Sequence, residues 1–204
     1  MNAFIYIEGG ASGPHSKSLT IRCQMAFHKL LSGTGFEGKM PRLKPCGGRD
    51  AVYKDFCTAQ KADQAGYVAM WIDSEEPMAD IEKTWKHLAE VQTVGIWKKP
   101  DGAVDDQVLF MTTCMETWIV ADRAALREHC KQNLNENPLP HTIGLESRPR
   151  HEVKQALETA TKNCNNAYAK GKRSFEIFEK LDPEVLRQHL PSFERVVRIL
   201  NAKL

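Results

Sequence analysis

The chain has 204 residues, of which 42% are hydrophobic and 26% charged, the balance of a globular protein and not of a disordered one. No apolar run approaches the roughly 18 residues a membrane-spanning helix needs, and the opening MNAFIYIEGG lacks the basic stretch of a signal peptide, so a cytoplasmic protein is expected. The formal net charge of +2 hides an asymmetry: residues 1–122 carry 13 basic and 16 acidic groups (net −3), residues 123–204 carry 15 and 10 (net +5). That split is either ordinary surface variation or the mark of a site that uses both carboxylates and phosphate-binding cations.

Ala3–Ile7 is a short apolar run rich in β-formers, followed at once by Glu8-Gly9-Gly10. Residues 16–31 place Leu19, Ile21, Met25, Phe27, Leu30 and Leu31 at helical spacing and stop at Ser32-Gly33, which predicts a helix. Residues 42–46 read as a second strand cut by Gly47-Gly48, and 49–62 as a helix with Val52, Phe56 and Ala59 on one face. The run YVAMWI at 67–72 is the clearest strand and leads into Asp73-Ser74-Glu75-Glu76-Pro77. It does not alternate, as expected of a strand buried on both faces. Residues 80–91 predict a helix with an acidic start, and Val108–Met111, extended toward Thr113, a fourth strand.

After Asp122 the pattern becomes helical, at 124–132, 151–162, 168–181 and 183–204, interrupted at 133–140 and at Asp182-Pro183. Strands alternating with helices predict an α/β fold with a mostly parallel sheet flanked by helices. The expected organisation is an α/β core at 1–122 and an all-helical C-terminal extension at 123–204 packed on it. The six cysteines (Cys23, Cys46, Cys57, Cys114, Cys130, Cys164) form no CxxC pair, against a zinc site or disulfide framework.

Ligands of parallel sheets collect beyond the carboxyl ends of the strands, and acids cluster there: Glu8 after the first strand, Asp73 and Glu75 after the third, Glu116 after the fourth. Two like charges ~4 Å apart at an effective dielectric of ~20 cost about 4 kcal/mol. Such a group persists if some members hold protons or if a divalent cation joins them. Mg2+ or Mn2+, hard ions that take carboxylate and phosphate oxygen, are the expected cofactors. The competing reading is that each acid caps the helix after it. The segment GGASGPHSKS fails as a phosphate-binding P-loop, because the required glycines would fall at Ala11 and Ser16 and Pro14 removes an amide. Lys17, at the start of the first helix, is a candidate phosphate contact or a solvated lysine. His15 is a candidate base beside the site. The other histidines show no metal-ligand spacing, and Trp71, Trp85, Trp97 and Trp118 read as core or subunit contact.

IYIEGG, WIDSEE and TCMETW together resemble the Toprim fold of topoisomerases, primases and the overcoming-lysogenization-defect (OLD) nucleases. A closer resemblance, over EGGxxxxxSKSL, DSEEP, WKHL, KKPDG, CMETWxxAD and YAKGKRS, is to small bacterial Toprim-like proteins commonly encoded beside an ATPase and linked to phage defence. The resemblance implies metal ligation by Glu8, Asp73 and Glu75 with help from Glu116, and matches Lys170 to a lysine used by OLD-type nucleases, with Lys172 and Arg173 behind it as further phosphate contacts. Two positions depart from the pattern: Glu75 stands where an Asp is usual, and Ser12 where OLD nucleases have a further Glu. The implied activity is hydrolysis of DNA or RNA phosphodiesters, with nucleic acid as substrate, an ATPase as partner and a homodimer as assembly. The alternatives are a non-catalytic regulatory subunit of an ATPase complex and a phosphohydrolase acting on small phosphoesters.

Overall fold

A computed structural model describes residues 3–10, 16–62, 66–91 and 97–204. Four strands, β1 (Ala3–Ile7), β2 (Arg42–Pro45), β3 (Tyr67–Asp73) and β4 (Val108–Met111), form one sheet in the order β2-β1-β3-β4, and every pairing is parallel. The register sets Ile7 beside both Pro45 and Trp71, and Asp73 beside Met111, so the carboxyl ends of the strands lie along one edge. Nine α-helices among the described residues flank it: α1 (Ser16–Ser32), α2 (Arg49–Lys61), α3 (Thr84–Glu90), α4 (Met115–Ala121), α5 (Arg123–Cys130), α6 (Arg150–Thr161), α7 (Lys172–Phe178), α8 (Pro183–His189) and α9 (Pro191–Lys203). This is the α/β fold that the alternating pattern predicts. None of these helices is long and apolar enough to cross a membrane.

Successive strand side chains point to opposite faces, and both faces are apolar. Ile5, Ile7, Ala69, Trp71, Leu109 and Met111 pack against α1 and the helices after residue 114. Tyr6, Val68, Met70, Ile72, Val108 and Phe110 pack against α2 and α3 through Val52, Phe56, Trp85 and Leu88. The first core runs on through Trp118, Phe178 and Phe193, whose rings meet edge-on or stacked at 4.9–6.0 Å. It therefore joins the sheet to the helices beyond Asp122 in one apolar body. Arg195 of α9, 3% exposed, reinforces the junction by donating to the Val108 carbonyl at 2.9 Å, the Asp105 carbonyl at 3.0 Å and Glu82 at 3.0 Å.

Several element boundaries differ from the sequence expectation, each for a local reason. The helix expected at 80–91 starts only at Thr84, because Asp80 closes a turn instead by accepting the Glu82 N–H at 3.0 Å. The helix expected at 168–181 starts at Lys172, after Gly171 has left helical geometry at φ +101°. The helix expected at 183–204 is two, since Pro191 forces Leu190 into extended backbone at φ −125°, ψ 96°. Helix α4 shows no amphipathic period because Glu116 through Ala121 are all buried, and a helix buried all round has no solvent face to set a period. Trp71, Trp85 and Trp118 are buried, whereas Trp97 is partly exposed and stacks on Tyr53 at 4.5 Å. All six cysteines are free thiols.

Candidate metal centre

From β1 the chain moves outward to β2, then returns across to β3 on the other side of β1. That reversal opens a crevice at the carboxyl ends of β1 and β3, and the two residues that reach it are Glu8 and Asp73. Glu8 is fixed by its own N–H, which donates to the Trp71 carbonyl at 2.8 Å. The turn after it is held by reciprocal backbone bonds between Gly9 and Gly47 at 2.8 and 2.9 Å. Gly9 is obligatory there: φ is +148°, and a Cβ would lie 2.7 Å from the buried Cys23 Sγ.

The carboxylates are tied to backbone as well as to one another. Glu8 Oε2 accepts the Asp73 N–H at 3.2 Å, and Asp73 Oδ1 accepts the N–H of Met115, the first residue of α4, at 3.0 Å. Glu75 sits at φ +71°, a left-handed conformation that is uncommon outside glycine, with its N–H on the Thr113 carbonyl at 2.9 Å. Glu8, Asp73 and Glu75 each offer an oxygen, all within 4.8 Å of one another.

The fourth acid stands beside this trio and not within it. Glu116, 6% exposed in the first turn of α4, accepts the phenol proton of Tyr168. It shares with Asp73 and Lys170 the walls of two adjoining cavities of about 180 and 260 Å3. The smaller is closed by Gly47, Gly48 and Phe175, the larger by Arg150, His151 and Lys154. Lys170 reaches both from the turn before α7. The other basic residues singled out in the sequence are placed differently. Lys17 is exposed in the first turn of α1, Lys172 pairs with Glu176 at 3.7 Å, and Arg173 donates to Asn166 Oδ1 at 3.1 Å. His15 and Ser12 lie outside the described residues.

Three further side chains reach the acids of the crevice, of which the sequence offers Arg150 only within a basic cluster, Arg148–Arg150, that could line a nucleic-acid groove. Arg49 begins α2 directly beyond the β2 turn and reaches Glu75 Oε1 at 3.5 Å, while Arg150, at the start of α6, pairs with the same carboxylate. The position of Arg49 just past a strand end was the available signal. Arg150 is one of two arginines flanking Pro149, and Tyr168 opens the YAKGKRS stretch two residues before Lys170.

Burial pushes the Asp73 carboxyl well above the usual carboxylate range, and the neighbouring Glu8 and Glu116 push it further, against Lys170 and the Met115 N–H. Burial likewise raises Glu8, opposed by Arg49, the Asp73 N–H, Lys170 and Arg150. A divalent cation would relieve this repulsion, and the donors available to it are hard carboxylate oxygens, which suit Mg2+ or Mn2+. The residues fit such an ion.

Fold and site together define an α/β protein with an acidic crevice at the switch point of a parallel sheet, rimmed by cations. Residues 19–201 match the family described as "Domain of unknown function (DUF4276)", and the chain belongs to that family. The matched segment contains Asp73, Glu75, Glu116 and Lys170, while Glu8 precedes it. No curated protein and no solved structure matches the chain.

Proposed function

We propose that this protein is a metal-dependent nuclease of Toprim type that hydrolyses DNA or RNA phosphodiesters. The observation that carries this reading is the convergence of Glu8, Asp73 and Glu75 within 4.8 Å, beside Lys170 and Arg150. Parallel strands in the order β2-β1-β3-β4 with acids after β1, after β3 and at the start of α4 support the Toprim resemblance. The ATPase partner, the role in phage defence, the homodimer and the cytoplasmic location belong to the same proposal and rest on that resemblance.

Glu8, Asp73 and Glu75 would hold Mg2+ or Mn2+, with help from Glu116, which accepts a hydrogen bond from Tyr168. A bound ion supplies Lewis-acid stabilisation of phosphoryl charge and a water of lowered pKa. The protein's own part is positional and electrostatic. Lys170 and Arg150 neutralise charge that grows on the phosphoryl oxygens, and the Met115 N–H keeps Asp73 aimed into the crevice. The modest cavities, about 180 and 260 Å3, favour as a second reading a phosphohydrolase acting on small phosphoesters with the same residues.

Calorimetry with Mn2+ on the wild type, Glu8→Ala and Asp73→Ala, followed by cleavage of plasmid, total RNA and a nucleoside monophosphate, tests the proposal. Binding lost in both variants together with metal-dependent polymer cleavage supports the nuclease. Release of phosphate from the monophosphate alone moves the assignment to the phosphohydrolase. A wild type that binds no Mn2+ overturns the metal centre and leaves a regulatory subunit.

A further inference from the structure

We propose that Arg49 and Arg150 form an oxyanion site for a phosphate group of the substrate, and that Glu75 fills it as an internal anion until the phosphate arrives. The inference rests on the phosphoester reading above and specifies how substrate and metal binding are linked. Two guanidinium groups converge on the single Glu75 carboxylate, and Arg49 also lies in the field of Glu8 and Asp73. Guanidinium is the side chain whose planar donor fork matches phosphate oxygens.

Arg49 supplies the second observation. Its side chain is only 10% exposed, and Nη1 has ion-pair proximity to Glu75 but no hydrogen-bond acceptor. A buried donor left unmade costs about 1–3 kcal/mol, so the site holds donor capacity that a carboxylate does not use and a phosphate, with more acceptor oxygens, would. The group is also held ready: the guanidinium lies over the Trp97 ring at 5.0 Å, and Trp97 stacks on Tyr53 at an interplanar angle of 5°. Arg150 is half-exposed and opens onto the 260 Å3 cavity shared with Lys154 and Lys170, which gives the anion a cationic path inward.

Exchange of phosphate for carboxylate on the arginines would free the Glu75 oxygens that Arg49 and Arg150 now engage for an ion shared with Glu8 and Asp73, beside which they already lie. Phosphate and metal would then favour each other's binding, and such coupling is reciprocal. The exchange also explains why a glutamate, with a longer reach than aspartate, stands at this position.

The test separates this inference from the metal assignment by titrating inorganic phosphate in the presence of a chelator, on wild type, Glu75→Gln, Arg150→Gln and the double variant. Glu75→Gln is expected to tighten metal-free phosphate binding about fivefold or more, and Arg150→Gln to weaken it by a similar factor. Mn2+ titration should move the opposite way: Arg150→Gln tightens it when Glu75 is present, and the gain disappears in the Glu75→Gln background. Phosphate affinity unchanged or weakened by Glu75→Gln overturns the proposal. So does a gain in Mn2+ affinity that persists without Glu75, since Arg150 would then act only as a distant charge. The phosphate titration contains no metal, so it is decisive even if Mn2+ calorimetry shows the metal assignment to be wrong.

Discussion

The backbone N–H of Asp73 donates to Glu8 Oε2 at 3.2 Å, which links the carboxyl ends of two neighbouring strands through one of the acids they carry. The bond places two carboxylates side by side in a partly buried crevice, where Glu8 and burial together raise the Asp73 carboxyl, a repulsion that the proposed cation would offset.

Replacement of Asp73 by Asn should therefore raise the stability of the metal-free protein while abolishing its response to metal. The Asn carbonyl can still accept the Met115 N–H, and the repulsion from Glu8 and Glu116 is gone. A gain on the order of 1 kcal/mol corresponds to a melting temperature about 2–4 °C higher for a chain of this size. Mn2+ at one hundred times its Kd should stabilise the wild type by about 2.7 kcal/mol and the variant not at all. Thermal melts with and without Mn2+ check both halves. A variant less stable than wild type without metal would show that the carboxylates do not strain the fold.

Tyr168→Phe removes the one side-chain donor to the buried Glu116 carboxylate among the described residues. Hydrogen bonds to charged groups contribute about 1.5–3 kcal/mol, and a loss of that size should lower the chemical-denaturation midpoint without changing the slope. Tyr168→Phe combined with Glu116→Gln should recover part of the loss, because no buried charge is then left unpaired. Recovery close to zero would place the effect in packing of the ring.

Gly9→Ala is expected to be among the most damaging small substitutions in the chain. The added methyl meets Cys23 Sγ at 2.7 Å, and φ of +148° is rarely adopted by an L side chain. Overpacking alone costs about 1–3 kcal/mol. Cys23→Ala in the same protein should relieve the clash and leave only the backbone strain, a partial rescue that a double-mutant cycle measures directly.

Glu146 predicts a pH dependence away from the acidic crevice. Burial pushes its carboxyl up to about 7, although the Ser192 N–H and hydroxyl both donate to it. A carboxyl raised in the folded state gives a stabilising contribution that is fully present below its ordinary value of 4.5 and is lost as pH rises through about 7. Glu146→Gln should thus leave stability little changed at pH 4.5 and increase it, by at most about 3 kcal/mol, at pH 8. Denaturant titrations of both proteins at the two pH values decide it, and equal differences at the two would exclude titration of Glu146.

The strands were legible because their signal is local. YVAMWI is apolar at every position, and burial on both sheet faces demands that. Glu8 and Asp73 were legible for the same reason: each is the polar residue at which an apolar strand stops, so topology alone brings them to one edge. Helix α4 was not legible, because complete burial erased its periodicity. The split of the last helix was written in Pro191 but needed the extended geometry of Leu190 to show it.

What only the tertiary structure decided is how the acids are partnered. Glu116 meets Tyr168 across 52 residues of chain, and Glu75 meets Arg49 from one helix start and Arg150 from another. No local pattern encodes such pairs, because a charged side chain at a helix start looks the same in sequence whether it faces solvent or a carboxylate. Apolar burial is specified residue by residue along each element, and hence readable. The electrostatics of the site arise where separate loops meet at the end of the sheet, and only the packing of both cores around that sheet brings them together.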